Sequence, residues 1–235
     1  MGDRDALIYI YEMTQLHCSG WLVETNWDTE KRVNVWHGVT VDEGAHVKNL
    51  VLGSNRLTGE LLETERFKGF VNLETIYLDS NSIHGKIPAT LSLASSLREV
   101  NLAWNKFSGF IPDQIWTLVN LSVLRLDNNE LEGSISADLG KLKKLKLLNL
   151  CNNKLTGPVP KVGNKLIELR TCELLPGNHF EGDVPTTAAE MKEHRETVGS
   201  DSRRATLRSR ESSAGSSRSS SRAGSRRGSR RNTQI

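Results

Sequence analysis

The stretch Leu-Ser-Val-Leu-Arg-Leu-Asp-Asn-Asn-Glu-Leu-Glu-Gly at positions 121–133 decides the fold of this chain, because its spacing recurs along the sequence. Apolar residues at positions 121, 124 and 126 precede an asparagine at 129, and a glycine follows four positions later. Asn81, Asn105, Asn129 and Asn153 stand 24 residues apart, and Asn55 precedes Asn81 by 26 residues. A repeat of this length indicates stacked solenoid units, in which each unit contacts only its neighbours.

The apolar spacing predicts a short strand in each repeat. Successive side chains of a strand point to opposite faces, so Leu124 and Leu126 should face the interior, while Val123, Arg125 and Asp127 should face outward. A single repeat cannot bury its own apolar edge. Stacking joins the inward leucines into one core, with parallel strands about 4.8 Å apart.

The recurring asparagines are predicted to be structural. A carboxamide carries both donors and an acceptor, so it can satisfy the backbone groups exposed where the chain leaves each strand. The glycines, such as Gly85, suit turns with positive φ, and Pro88 suits a position that needs no ladder donor. A degraded sixth repeat completes this asparagine ladder, which comprises Asn55, Asn81, Asn105, Asn129, Asn153 and Asn178.

The repeat Leu-x-x-Leu-x-Leu-x-x-Asn, continued as Asn-x-Leu-x-Gly-x-Ile-Pro in 81–88, 105–112 and 153–160, resembles that of plant-type leucine-rich repeat (LRR) proteins. Such proteins occur in plants, algae and protists, and the resemblance covers about 3–185. It implies an α/β solenoid that curves with a right-handed sense and carries a parallel β-sheet on its concave face. It also implies a helical, tryptophan-rich N-terminal cap.

Four segments are expected along the chain. Residues 1–46 should form the cap, with a short helix beginning near Asp3 and a cluster of Trp21, Trp27 and Trp36. Residues 47–186 hold five regular repeats and one degraded repeat. A closing helix is expected at 187–196, where Thr187 and Glu190 have the spacing of a capping box.

The last segment, 197–235, is rich in Ser, Arg and Gly and is expected to be disordered, because it has too little apolar surface to offset the entropy of ordering. It contains 10 arginines against Asp201 and Glu211, a formal charge of +8 that leaves about −5 for the rest of a chain whose total is +3.

The compartment is predicted to be the cytoplasm, with the nucleus as an alternative. The sequence shows neither an apolar run of membrane-spanning length nor the pattern of a signal peptide at its N-terminus. Plant receptor relatives carry a cysteine pair in the cap, which is lacking here, and Cys18, Cys151 and Cys172 are predicted to be reduced thiols. We expect a monomer.

The sequence favours a non-enzymatic protein. The six histidines fall in different phases of the repeat, and none adjoins a serine or cysteine in a recognisable catalytic motif. The chain has no phosphate-binding glycine loop, no zinc-spaced Cys/His set and no dinucleotide fingerprint, so neither a cofactor nor a metal is expected.

The resemblance places a protein or peptide ligand on the concave face, in a signalling or scaffolding role, and the outward strand positions supply the candidate contacts. Tyrosine, tryptophan and arginine are enriched at binding hot spots, and all three types occur there. The candidate ligand-binding residues are Tyr77, Asp79, Asn101, Trp104, Arg125, Asp127 and Asn149.

Two alternatives remain open from the sequence. The Ser-Arg dipeptides of the tail resemble those of RNA-processing factors, so the protein is alternatively an adaptor that binds nucleic acid through the tail, with Thr206 and Ser229 as candidate phosphorylation sites. The third hypothesis is a shortened relative of a plant-type LRR receptor ectodomain.

Overall fold

The computed structural model of this protein describes residues 2–14, 21–27 and 30–194. By its internal contacts the chain divides into a unit of Met1–Arg195 and a segment of Glu196–Ile235. The predictions for Cys18, for the tail at 197–235, and for Thr206 and Ser229 lie outside the described residues.

The elements follow the repeat closely. Helix α1 is Asp3–Thr14, helix α2 is Ala188–Glu193, and 3-10 helices lie at Val33–Val35, Glu65–Gly69, Ala89–Leu93, Asp113–Thr117, Ala137–Lys141 and Gly163–Lys165. The strands are β1 Val39–Val41, β2 Val47–Val51, β3 Thr58–Glu60, β4 Thr75–Tyr77, β5 Ser82–Lys86, β6 Glu99–Asn101, β7 Lys106–Phe110, β8 Val123–Arg125, β9 Glu130–Gly133, β10 Leu147–Asn149, β11 Lys154–Pro158, β12 Thr171–Glu173 and β13 His179–Glu181.

The concave sheet contains seven strands in the order β1-β2-β4-β6-β8-β10-β12. From β2 onward the strands pair in parallel, with Ile76 beside Val100 and Val100 beside Leu124. The predicted parallel sheet is therefore confirmed. Strand β1, which the repeat pattern did not predict, pairs antiparallel with β2 and belongs to the cap.

A second parallel sheet, which we call the rear sheet, was also not predicted. It has the order β13-β11-β9-β7-β5-β3 and is formed by the segments after each asparagine. Gly85 and Gly109 lie inside its strands with φ of +79° and +72°. Because glycine inside a strand weakens it, these segments suggested turns, whereas pairing with the neighbouring repeats makes them strands.

The asparagine side chains bridge consecutive repeats. Asn105 Nδ2 donates to the carbonyl oxygens of Leu78 (2.9 Å) and Leu102 (3.2 Å), and its Oδ1 accepts from the backbone amide of Ile83 (3.0 Å). Asn129 and Asn153 make the same three kinds of contact. Each side chain thus satisfies backbone groups of its own repeat and of the preceding one, away from water.

The N-terminal cap covers the first repeat. Leu7 and Ile10 of α1 are fully buried, and the Asp3 carboxylate accepts from the backbone amide of Val47 (3.1 Å). The ring of Trp27 has centroid distances of 4.7 Å to Trp21 and 4.9 Å to Trp36. These contacts place large apolar area over the end of the solenoid.

The irregular repeats are accommodated on the side opposite the concave sheet. In the first, longer repeat, Phe67 and Phe70 are buried in and after the 3-10 helix Glu65–Gly69. Ser136 stands where other repeats have proline, and its hydroxyl accepts from the backbone amide of Asp138 (3.3 Å), which caps the next 3-10 helix.

At the C-terminal end, Thr187 Oγ1 accepts from the backbone amide of Glu190 (3.2 Å), and the Glu190 carboxylate accepts from that of Thr186 (2.7 Å). The helix that follows is six residues long, Ala188–Glu193, against the 187–196 expected. Its Met191 is fully buried against the last repeat. Across the described part of the chain, every helix is too short or too polar to span a bilayer.

Candidate ligand-binding site on the concave sheet

Strand register aligns the outward residues of the concave sheet in rows that run across the repeats. One row consists of Val51, Tyr77, Asn101, Arg125, Asn149 and Glu173. The row two positions later in each repeat consists of Gly53, Asp79, Ala103, Asp127, Cys151 and Leu175. Most of the predicted contact residues fall in these two rows, and Trp104 follows the second row by one position.

Tyr77 is held by a residue that the sequence analysis missed. Its hydroxyl donates to Glu99 Oε2 on the neighbouring strand β6. Burial raises the pKa of Tyr77 to about 12, and the Glu99 carboxylate adds to the shift by accepting the phenolic proton and repelling the phenolate. Strand alternation was the available signal, since Glu99 lies two positions before Asn101 and therefore on the same face.

Asp79 and Asn101 form a pair across adjacent strands. Asn101 Nδ2 donates to Asp79 Oδ1 (2.9 Å), and Asn101 Oδ1 accepts from the backbone amide of Ala103 (3.2 Å). Asn101 is buried, whereas Asp79 is partly exposed. The amide thus orients the carboxylate, and the carboxylate is the group that a ligand can reach.

Arg125 and Asp127 form the next pair. Arg125 Nε lies 3.4 Å from Asp127 Oδ1, and Asn128 Nδ2 donates to Asp127 Oδ2 (2.8 Å). Asp127 is only 2% exposed although its strand position faces outward, because these neighbours cover it. Arg125 remains partly exposed, with its guanidinium held on one side.

Asn149 is similarly enclosed. Its Nδ2 donates to Glu173 Oε2 (2.6 Å), and its Oδ1 accepts from the backbone amide of Cys151 (3.1 Å). Burial raises the pKa of the Cys151 thiol, and the carboxylates of Asp127 and Glu173 contribute to the rise. At neutral pH this thiol is therefore protonated and a weak nucleophile.

Trp104 is the most exposed of the predicted contact residues, at 59%. Its backbone has a φ of +55°, in the left-handed region. The structure therefore separates the seven predicted residues into two sets. Tyr77, Asp79, Trp104 and Arg125 present accessible surface, whereas Asn101, Asp127 and Asn149 are buried and orient their neighbours.

Sequence reasoning also missed a polar cleft where the concave strands begin. It has a volume of about 310 Å³, and its lining residues are Asp42, Lys48, Asn72, Glu74, Ser96, Arg98 and Asn120. Glu74 lies 3.8 Å from the ammonium of Lys48 and 3.6 Å from the guanidinium of Arg98. Within the part of the chain that the structure describes, no three His, Cys, Asp or Glu side chains are grouped to hold a metal ion.

Comparison with protein families agrees with this architecture. Residues 45–107 match a family described as leucine rich repeat, and residues 120–142 and 144–166 match a second leucine-rich repeat family. The chain is also 42% identical, over 74 residues, to the leucine-rich repeat receptor protein kinase MSL1 of Oryza sativa subsp. japonica. This match covers 32% of the chain and 5% of the kinase.

Two solved structures are similar over 78% of this chain. One is the LRR ectodomain of the plant membrane receptor kinase GASSHO1/SCHENGEN3 from Arabidopsis thaliana in complex with CASPARIAN STRIP INTEGRITY FACTOR 2, with a TM-score of 0.70 and 33% identity. The other is PEPR1-AtPEP1, with a TM-score of 0.68 and 30% identity. The match spans 22% and 26% of those chains, respectively.

The predicted cytoplasmic or nuclear location is wrong in light of these relatives, which are receptor proteins and include an ectodomain. The similarity points to an extracellular or secreted location. The prediction relied in part on the cysteines, but Cys172 fills an inward leucine position in β12 and Cys151 an outward position just after β10. Both residues are explained by the repeat pattern, so they are not evidence for a reducing compartment.

The sequence repeat, the parallel sheet, the bridging asparagines and the similarity to plant receptor ectodomains lead to one conclusion. This chain is a plant-type leucine-rich repeat protein.

Proposed function

We propose that this protein is a non-enzymatic module that binds a protein or peptide segment on its concave sheet. The observation that carries the proposal is the set of accessible side chains of Tyr77, Trp104 and Arg125, which lie on three consecutive repeats. These residue types supply most binding hot spots, because they bury large area and form directed polar contacts.

The site is organised before a ligand arrives. Tyr77 donates to Glu99, and Arg125 contacts Asp127. Both residues sit on or beside strands with regular parallel pairing. Side chains already held in place lose little further entropy when a partner binds, so more of the contact energy appears as affinity.

The dimensions favour an extended ligand. Neighbouring parallel strands lie about 4.8 Å apart, so Tyr77 and Arg125, two strands apart, are separated by about 10 Å along the solenoid. Three or four residues of an extended peptide span that distance. The similarity to PEPR1-AtPEP1 and to a receptor ectodomain in complex with CASPARIAN STRIP INTEGRITY FACTOR 2 supports a ligand-binding role.

The test is affinity capture with full-length protein from cell extract and from extracellular fluid of the source tissue. The concave variant carries Tyr77→Ala, Trp104→Ala and Arg125→Ala. The matched control carries Phe110→Ser, Lys106→Ala and Lys154→Ala, three exposed positions on the rear sheet. We expect a partner that the control retains and the concave variant loses. Partners shared equally by both variants would contradict the proposal.

The receptor relatives favour a second, related hypothesis, in which this unit corresponds to a short receptor ectodomain. Its partner would then be displayed on a cell surface or secreted. Labelled protein added to intact plant protoplasts should bind their surface, and the concave triple variant should not. Equal surface binding by both proteins would count against this hypothesis.

The nucleic-acid hypothesis depends on the tail, and the capture experiment separates it from the others. Deletion of 197–235, combined with nuclease treatment, removes partners that the Arg/Ser segment recruits through phosphate contacts. Partners of the concave sheet should survive both treatments. Partners that are lost only on tail deletion and nuclease treatment would favour a nucleic-acid adaptor instead.

A further inference from the structure

Trp104 occupies a backbone position that disfavours it. The equivalent residues of the neighbouring repeats are Ser80, Asn128 and Asn152, with φ of +56°, +56° and +53°, and Trp104 has +55°. Serine and asparagine suit this region, because a short polar side chain can bond locally, whereas a bulky side chain adopts it at a cost. A tryptophan in this row is therefore not explained by the backbone.

The indole is not explained by packing either. The Trp104 residue is 59% exposed, whereas the tryptophans of the cap and of the fourth 3-10 helix are buried. A large exposed aromatic residue at an unfavourable φ gains little for the fold. This combination indicates that the side chain serves contact with another molecule.

The charges beside Trp104 define the chemistry of that contact. The backbone amides of Ser80 and Asn81 donate to the carbonyl oxygens of Ala103 (2.9 Å) and Trp104 (3.1 Å), so the segment that contains Asp79 lies directly alongside Trp104. Among the residues that the structure describes, Asp79 Oδ1 accepts from Asn101, and Oδ2 accepts only a long hydrogen bond from the Ser80 hydroxyl (3.4 Å). A carboxylate can accept further hydrogen bonds in this state.

Other outward residues near the ends of the concave strands are also acidic. The strand ends around Trp104 carry Asp79 and Asp127, and the adjoining row carries Glu99. Of the basic residues nearby, Arg125 has its Nε facing Asp127, and the exposed Lys106 interacts electrostatically with Glu130. Where the strands begin, about 20 Å away along the strand direction, the basic residues Lys48, Arg98 and Lys146 are paired with Glu74 and Glu168. A positively charged group is therefore favoured at the strand ends.

We propose that Trp104 is the anchor of the concave site and holds a lysine or arginine side chain of an extended peptide segment, with Asp79 as the counter-charge. The cation lies over the indole face, whose electron density attracts it, and donates to Asp79 Oδ2, which has room for a further hydrogen bond. This inference rests on the proposed function, since it specifies the ligand class for the same sheet.

The first test separates a contact role from a structural one by comparing Trp104→Ala with Trp104→Asn. Both variants remove the indole, but asparagine adopts a φ near +55° more readily than alanine. We expect Trp104→Asn to unfold about 2 to 4 °C above Trp104→Ala. Both should lose peptide affinity equally, within about twofold. If the loss of affinity instead followed the loss of stability, Trp104→Ala would bind the peptide much more weakly than Trp104→Asn. The residue would then be structural, and the inference would be overturned.

The second test uses a displayed library of random 12-residue peptides, selected on the full-length protein and counter-selected on Trp104→Asn. Lysine or arginine should be enriched among the recovered peptides. Replacing that residue by methionine should weaken binding to the native protein about tenfold and leave binding to Trp104→Asn unchanged. Phe110→Ser, which removes a 67% exposed aromatic residue from the rear sheet, should bind like the native protein.

The outcomes distinguish this inference from the proposed function. Peptides that depend on Tyr77 and Arg125 but gain nothing from a basic residue would overturn the inference and leave the function standing. Recovery of no peptide, or of peptides indifferent to every concave substitution, would count against both. Because the tail is identical in all these proteins, its charge cancels from each comparison.

Discussion

At the scale of single residues, the concave surface works through pairs in which one partner orients the other. Asn101 orients Asp79, and Asp127 holds Arg125, while the buried member of each pair contributes little surface of its own. Sequence alone predicted which rows face outward, because alternation along a strand depends only on local geometry. It could not predict that Asn101, Asp127 and Asn149 are covered, since that depends on side chains from the neighbouring repeats.

The Tyr77–Glu99 pair leads to a pH prediction. With its pKa raised to about 12, Tyr77 stays neutral in the folded protein where an unfolded tyrosine, near 10, has ionised. Its contribution to stability should be fully present below about pH 10 and lost as pH rises from about 10 to 12, because the unfolded state then binds fewer protons.

The measurement is the phenolate absorbance of the native protein minus that of Tyr77→Phe, titrated in the folded state. We expect a midpoint near 12. Glu99→Gln should lower that midpoint, because it removes the negative charge while keeping an acceptor for the hydroxyl. A midpoint near 10 in the native protein would contradict both the burial of the Tyr77 hydroxyl and its bond to Glu99.

At the scale of elements, the same 24-residue spacing encodes two sheets, of which sequence reasoning found one. The concave strands have a clear alternation, as in Leu124 and Leu126, and so they were predictable. The rear strands other than β13 contain a glycine at positive φ, and their pairing arises only when repeats stack. The antiparallel strand β1 depends on a contact with β2 that no local pattern specifies.

Gly59 lies where the cap helix α1 packs against strand β3 of the first repeat. It lies in β3 with a φ of +102°, and a Cβ built there would overlap the backbone oxygen of Met13 in α1. Gly59→Ala should therefore cost about 3 kcal/mol or more, from backbone strain together with displacement of the helix. The free energy of unfolding in urea, followed by circular dichroism, measures this cost.

Gly157→Ala is the matched control. Gly157 has a similar role in β11 with a φ of +70°, but its added Cβ would meet only Ser134 Cβ, at 3.4 Å, an ordinary contact. This variant should lose about 1 kcal/mol from φ alone. If the two substitutions cost the same, the close approach of α1 to β3 would not contribute to stability.

At the scale of the whole molecule, the fold behaves as a one-dimensional stack that needs a cover at each end. The described unit is covered by α1 and the tryptophan cluster at one end and by the short helix α2 at the other. The first cover is a large aromatic core tied to Asn55, whose Nδ2 donates to the carbonyl oxygen of Val23 (2.9 Å). The second depends on Ala188 and Met191. The stack should therefore open more readily at its C-terminal end.

Met191→Asp tests this asymmetry, because it places a charge without a partner at a site that is fully buried. We expect α2 to detach and the last repeat to open, while β4 and β6 keep their protection against hydrogen exchange. Cys172 supplies a second readout. Burial raises the pKa of this thiol to about 12, so alkylation should be slow in the native protein and should accelerate in the variant.

Met191→Leu and Glu193→Ala serve as controls, the first conserving the apolar contact and the second changing an exposed residue of the same helix. Both should leave Cys172 protected. Because each repeat contacts only its neighbours, the loss of protection in Met191→Asp should fade from β12 toward β8. An equal loss in every strand would instead mean that the unit unfolds as a single cooperative body, and that the C-terminal cover stabilises all of its repeats together.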